Sequence, residues 1–259
     1  MEDLTNGDAL FEAGDFEGAI WKYDRAIEAD PSNPDAFLKR GLAHVERAGF
    51  DAAIADYSKA IELGGGSSLL FYKRGVAYHN TERLEEAVAD YSKAIEFDSN
   101  NALAYNNRGI ARHRLDDYEG AMADYQRAIE LDPNDAKVYI NRGFALQEIG
   151  DLESAIADFS RAIELDPLNP IAYSNRGLAL RARVQQARSE AIEDFSKAIE
   201  VDPSYAPAYL NRGLALNEMG RDYEGSLDLR AAAELDPRLH MGPPTDDAPM
   251  TPTPDPEDE

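Results

Sequence analysis

The residues best suited to chemistry in this 259-residue chain are four histidines, a column of arginines and a column of aspartates. His79 and His113 stand 34 residues apart, so a helical repeat of that length would set them at one height on neighbouring helices. Packed helices lie about 8–10 Å apart, which is long for two ligands of one ion. No carboxylate or thiol shares the spacing, so the two rings are expected to line a wall and to hold no metal. The chain has no cysteine, which removes a disulfide framework, a thiol nucleophile and a thiolate metal site. No Ser-His-Asp constellation or phosphate-cradling glycine loop appears, and packing and turns account for the glycines. The expectation is no enzyme and no cofactor.

The arginines are Arg40, Arg74, Arg108, Arg142, Arg176 and Arg212. The aspartates that follow them are Asp56, Asp90, Asp124, Asp158, Asp194 and Asp228. In a helical hairpin turning near Gly150–Asp151, Arg142 and Asp158 stand at about the same height. The first copy of the pattern lacks both members, with Asn6 and Lys22 in their places. Joint presence and joint absence predict one structural ion pair per unit. Such a pair sets register more than it stabilises, but losing one partner is costly.

The elements that position these columns come from a repeat. Gly143 recurs as Gly7, Gly41, Gly75, Gly109, Gly177 and Gly213, in steps of 34 residues with one step of 36. Within residues 136–169, Val138, Tyr139, Arg142, Gly143 and Leu146 share one face at helical spacing. Gly150 and Asp151 interrupt it. A second stripe follows at Ala155, Ile156, Phe159, Ala162, Ile163 and Leu165, and Asp166–Pro167 ends it. Gly143 and Ala155 permit close approach of the two helices, and the rings of Tyr139 and Phe159 fill what remains. Such a hairpin cannot bury its apolar face alone, so the copies must stack.

The set Tyr139, Gly143, Leu146, Gly150, Ala155, Phe159, Ala162 and Pro167 resembles the motif of the tetratricopeptide repeat family, over about residues 2–237. Arg142 departs from it, taking a place where the family usually has leucine. The resemblance implies an all-α fold: a right-handed superhelical α-solenoid of about seven helix-turn-helix repeats, whose first helices line a concave face that binds a partner. It implies no catalysis. By the same resemblance, the groove takes the residue three before each glycine and the residue after it. These are Leu38 and Leu42, Tyr72 and Val76, Asn106 and Ile110. They continue as Ile140 and Phe144, Ser174 and Leu178, Leu210 and Leu214. Further along each helix come Val45, His79, His113, Gln147, Arg181 and Asn217. An amphipathic helix or an extended segment would suit this surface, and some of these residues are equally suited to packing between repeats. Chaperone-binding members of the family grip a C-terminal carboxylate with Lys and Asn at such places; lysines are missing from them here.

The expected boundaries are repeats at about 1–33, 34–67, 68–101, 102–135, 136–169, 170–205 and 206–237, then a disordered, acidic, proline-rich tail over 238–259. The first repeat, with Asp3 and Asp8 at places that are aromatic or apolar elsewhere, reads as a cap. Trp21, the single tryptophan, is expected at an edge. Gly64–Ser68 replaces the usual Asp-Pro ending, with Ser67 or Ser68 able to cap the next helix; a soft joint and an ordinary tight turn both remain open there. The sixth repeat carries a two-residue insertion, expected in its turn, with Arg181, Arg183 and Arg188 as a local basic patch; a contact for an acidic segment and a merely solvated turn both remain open. The net charge of -24 disfavours nucleic acid and anionic membranes and keeps the surface solvated. No apolar run spans a bilayer and no signal pattern precedes the first repeat, so the default expectation is cytoplasmic. The favoured function is a scaffold that binds a protein or peptide partner. The alternative is a self-assembling structural protein, whose partner is another copy of the chain.

Overall fold

The computed structural model describes residues 2–239, and the tail expected beyond them lies outside the described residues. Thirteen α-helices and no strand occur among the described residues. The chain divides after Leu180 into two compact units.

The first unit is a stack of helical hairpins. They are α1 (Glu2–Glu12) with α2 (Phe16–Ala29), α3 (Pro34–Glu46) with α4 (Phe50–Ala60), and α5 (Ser68–Asn80) with α6 (Leu84–Phe97). Two more follow, α7 (Ala102–Arg114) with α8 (Tyr118–Leu131) and α9 (Ala136–Glu148) with α10 (Leu152–Leu165). Short polar side chains start these helices. Asp15, Asn33, Asn101, Asp117, Asp135 and Asp151 each accept a hydrogen bond from a backbone N–H in the first turn. Between α9 and α10, Gly150 adopts φ +84°, a left-handed conformation that glycine takes without steric cost. The equivalent places in three earlier hairpins hold Ala48, Glu82 and Asp116 at φ 55°, 61° and 61°, where a side chain is strained.

The core is a column of small residues against rings. A Cβ on Gly143 would stand 2.7 Å from the Phe159 ring, and Gly41, Gly75 and Gly109 meet Tyr57, Tyr91 and Tyr125 equally closely. Those four rings are almost fully buried, as are Ala53, Ala87, Ala121 and Ala155 beside them. The first hairpin is polar on its outer helix. Asp3 takes an ion pair with Lys22 at 2.9 Å, so the cap reverses the order of charges found further along. Trp21 is exposed, with Lys22 and Arg25 stacked on its ring.

After α4 the backbone widens into a π turn, Ile61–Gly65, in which Gly64 has φ +89°. Ser67 then caps α5, its Oγ accepting from the Leu70 N–H at 3.2 Å.

The sixth repeat is not a hairpin. Helix α11 runs unbroken from Pro170 to Val201, giving its first residues to the first unit and the rest to the second. The expected turn is absent for a physical reason. Residues 178–193 contain no Gly, Pro, Asn or Asp, and Arg, Gln and Ala are good helix formers. Arg181, Arg183 and Arg188 therefore sit on a helix and not in a solvated turn.

The second unit continues with α12 (Ala206–Glu218) and α13 (Asp222–Leu235), a closed hairpin turning at Gly220 with φ +75°. Among the described residues no helix is long and apolar enough to cross a membrane.

Candidate functional site

In the first unit the first helices stand side by side: α1 touches α3, α5 touches α7, and α7 touches α9. Polar contacts run along this wall. Asn107 Nδ2 donates to the Tyr72 hydroxyl at 3.1 Å, Asn106 Nδ2 to Asn107 Oδ1 at 3.3 Å, and Asn141 Nδ2 to Asn106 Oδ1 at 3.0 Å. His113 Nε2 lies 2.7 Å from Glu148, and Arg114 pairs with Glu82. His79 is partly buried, and desolvation, helped by the charge of Arg114, pushes its pKa below the ordinary 6.5. His44 is lowered as well, again mainly by burial. His79 and His113 thus have separate surroundings, and no group of three or more His, Asp or Glu that could hold a metal ion occurs among the described residues.

The residues expected in the groove divide. Phe144 and Leu178 are well exposed, at 37% and 42%, and Ser174 is open to solvent. Leu38, Leu42, Val45, Tyr72, Val76, His79, Ile110, His113 and Gln147 are half-buried, sharing their surface between a neighbouring helix and solvent. Asn106 and Ile140 are buried, only 8% and 7% exposed. Ile140 packs with Phe159, Ala172 and Ala179, and the Asn106 amide is spent on its asparagine neighbours. In the second unit Arg181 and Leu214 are exposed, and Leu210 and Asn217 are half-buried.

The sequence reading passed over Asn107 and Asn141. Their signal was available, since the NRG triplet places asparagine before arginine at 107, 141, 175 and 211.

The charged columns meet in five units. Arg40, Arg74, Arg108, Arg142 and Arg212 each grip the aspartate sixteen residues on with Nε and Nη2, at 2.5–2.9 Å. This is the fork-to-carboxylate geometry that lysine cannot reproduce. The hydrogen bonds to the aspartate push the guanidiniums of Arg40, Arg74, Arg142 and Arg212 further up, against their own desolvation.

Each fork also has a second grip that the column pattern did not announce. The free Nη1 reaches back to the second helix of the preceding repeat, onto Asp24, Ser58, Ser92, Gln126 and Ser196 in turn. The guanidinium also lies over the aromatic ring three residues earlier, as Arg142 does over Tyr139. Beside these forks the repeats leave notches, one of about 580 Å³ at Arg142–Asp158 and one of about 300 Å³ at Arg212–Asp228.

The members of the sixth pair, Arg176 and Asp194, both lie on α11, one in each compact unit. Arg176 keeps its backward grip, on Ser160 at 3.3 Å, while Asp194 is exposed.

Comparison with known proteins agrees with this geometry. A family model described as TPR repeat matches residues 7–47, 75–116, 114–150, 148–182 and 185–220, and the last two stretches meet in the middle of α11. No curated protein matches the chain. Among solved structures, a tetratricopeptide repeat protein from Parabacteroides merdae is 18% identical, covering 91% of this chain and 92% of its own, with a TM-score of 0.64. YrrB, a TPR protein with an unusual peptide-binding site, is 23% identical over 68% of this chain and 90% of its own, with a TM-score of 0.62. At those identities the likeness is one of fold. MamA is 27% identical over 62% of this chain and 94% of its own, with a TM-score of 0.60. With matched repeats over more than half of its length, the chain belongs to the tetratricopeptide repeat family.

Proposed function

We infer that the wall of first helices in the first unit binds a polypeptide segment of another protein, and that the chain acts as a scaffold without catalysis. TPR repeats typically mediate protein–protein interactions and are generally non-catalytic. The observation that carries the reading is the pairing of unspent apolar surface at Phe144 and Leu178 with the half-buried run of amides at Asn107 and Asn141, which flank the buried Asn106. An amide donates and accepts as a peptide bond does, so such a run suits an extended backbone, while the apolar positions take alternate side chains. The net charge of -24 steers basic segments toward the protein and makes encounter salt-dependent.

The test is capture from source lysate and from an array of extended peptides with alternating apolar and basic residues. A Phe144→Glu, Leu178→Glu variant is expected to keep its helix content by circular dichroism and lose at least tenfold in captured peptide. Equal capture by both proteins would remove the groove. The arginine forks belong to the scaffold in this reading. Arg142→Leu is expected to lower stability; unchanged stability with lost binding would make Arg142 a ligand contact instead.

A further inference from the structure

We propose that the segment held by the first unit is anchored at the first repeat by a lysine or arginine side chain, seated in a pocket between α1 and α3. The proposal rests on the groove reading and adds to it the charge of the partner and the end at which it is gripped.

The pocket has a volume of about 290 Å³. It is lined by Asp8, Phe11 and Glu12 of α1, Tyr23 of α2, and Lys39 and Leu42 of α3. At about 30 Å³ per water of the liquid, it has room for one long side chain. Its wall is apolar. Tyr23 is sealed in the core, Phe11 meets Phe16 edge to face at 5.3 Å, and Leu42 is half-buried.

The rim is acidic at a place where later repeats are not. Asp8 follows the core glycine, and its counterparts are Leu42, Val76, Ile110 and Phe144. A polar cap accounts for acids that face away from the stack, but Asp8 faces into it. Its Oδ1 accepts from the Tyr23 hydroxyl at 3.0 Å, and its Oδ2 accepts from Lys39 Nζ on the next first helix at 2.5 Å. Nor does the ring beneath require an acid. Tyr57 and Tyr125 hold the same place in later repeats, and their buried hydroxyls have no hydrogen-bond partner among the described residues.

The charges leave a surplus. Glu12 stands one turn along α1 from Asp8, is exposed, and forms no ion pair among the described residues. Carboxylates four residues apart on a helix repel, and the single ammonium of Lys39 offsets only one of them. Helix α1 has no basic residue in its last turn, so the negative end of its dipole adds to the field at Glu12. An apolar wall below an unmatched negative charge suits a side chain with an apolar stem and a cationic tip. Lys39 already shows that chemistry from within the chain, and an arginine fork would take Glu12 with two hydrogen bonds. A carboxylate or phosphate guest would be repelled by both acids.

The experiment measures the full chain by fluorescence polarisation against short peptides of alternating leucine and serine. Each peptide carries one arginine near one end, or citrulline in its place as a neutral isostere. Arginine at one end, and not at the other, is expected to bind about fivefold tighter than citrulline, and added salt is expected to erase the difference. Glu12→Gln is expected to lower that preference about threefold, and Asp8→Asn with Glu12→Gln to abolish it. If the double variant fails to fold, Glu12→Lys at the exposed position is expected to abolish it instead. Phe144→Glu with Leu178→Glu is expected to weaken both peptides alike and to preserve their ratio. Wild type that binds the arginine and citrulline peptides equally overturns the pocket. So does an arginine preference that survives the acid substitutions. An arginine preference that holds while the Phe144 and Leu178 changes leave affinity untouched overturns the groove reading and keeps the pocket.

Discussion

The fifth and sixth repeats use nearly the same core residues and differ in what lies between them. Gly143, Ala155, Phe159 and the Arg142–Asp158 pair have counterparts at Gly177, Ala191, Phe195, Arg176 and Asp194. The fifth closes at Ile149–Gly150–Asp151, where glycine takes the left-handed turn and aspartate caps the next helix. The sixth has Val184, Gln185, Gln186 and Ala187 at that place, and valine is among the residues least suited to a left-handed conformation. Core complementarity therefore does not by itself fold a hairpin. The turn residues decide whether two matched faces meet within the chain or are left available.

The largest test of this contrast is the ion pair. Asp158→Ala leaves Arg142 partly buried without its carboxylate and is expected to cost about 3 kcal/mol, the low end for a buried pair because the arginine retains some solvent. Asp194→Ala, on dilute single chains, is expected to change stability by less than about 0.5 kcal/mol. Urea denaturation followed by circular dichroism measures both, and equal losses would mean that the sixth repeat is closed.

The glycines come next and carry opposite signs. Gly143→Ala drives a methyl into the Phe159 ring and is expected to cost about 1–3 kcal/mol. Gly177→Ala meets nothing and adds helix propensity, so on dilute chains it is expected to stabilise by about 0.5–1 kcal/mol. A loss at both positions would erase the distinction.

The turns themselves give a smaller effect. Ala48→Gly relieves the φ of 55° in the second hairpin and is expected to raise the melting midpoint, by about 1 kcal/mol in stability. No change would mean that the strain at this turn is not expressed in stability.

The smallest expected effect is in pH. His44 and His79, both in closed hairpins, are held below their ordinary 6.5 chiefly by burial. The unfolded chain therefore takes up these protons first. Stability is complete above 6.5 and declines as pH falls from there toward the depressed native values. A His44→Gln, His79→Gln variant is expected to show a flatter urea midpoint against pH over that interval, and an unchanged slope would place the titration elsewhere.

The hairpins of the first unit were legible from Gly143, Phe159 and Ala155, because a periodic small-and-large pattern admits few packings. The arginine and aspartate columns were legible for the same reason. Their backward grip on Ser58, Ser92 and Gln126 was not, since only coordinates show where a third guanidinium nitrogen points. The burial of Asn106 and Ile140 was not legible, since spacing alone does not say how deep a position on the first helix sits, nor was the hydrogen-bonded run that Asn107 and Asn141 make with Asn106 along the wall. The continuous α11 was written in the sequence as an absence, the lack of Gly, Pro, Asn and Asp over residues 178–193.

The backward grip also bears on how the first unit denatures. Each fork is shared property: unravelling one hairpin strips a hydrogen bond from the next, so neighbouring repeats lose their order together. Coupling between adjacent modules sets the span that melts as one block in a linear array. An array stitched in this way is expected to give a sharp transition that both shifts down and broadens when a single interior arginine is replaced.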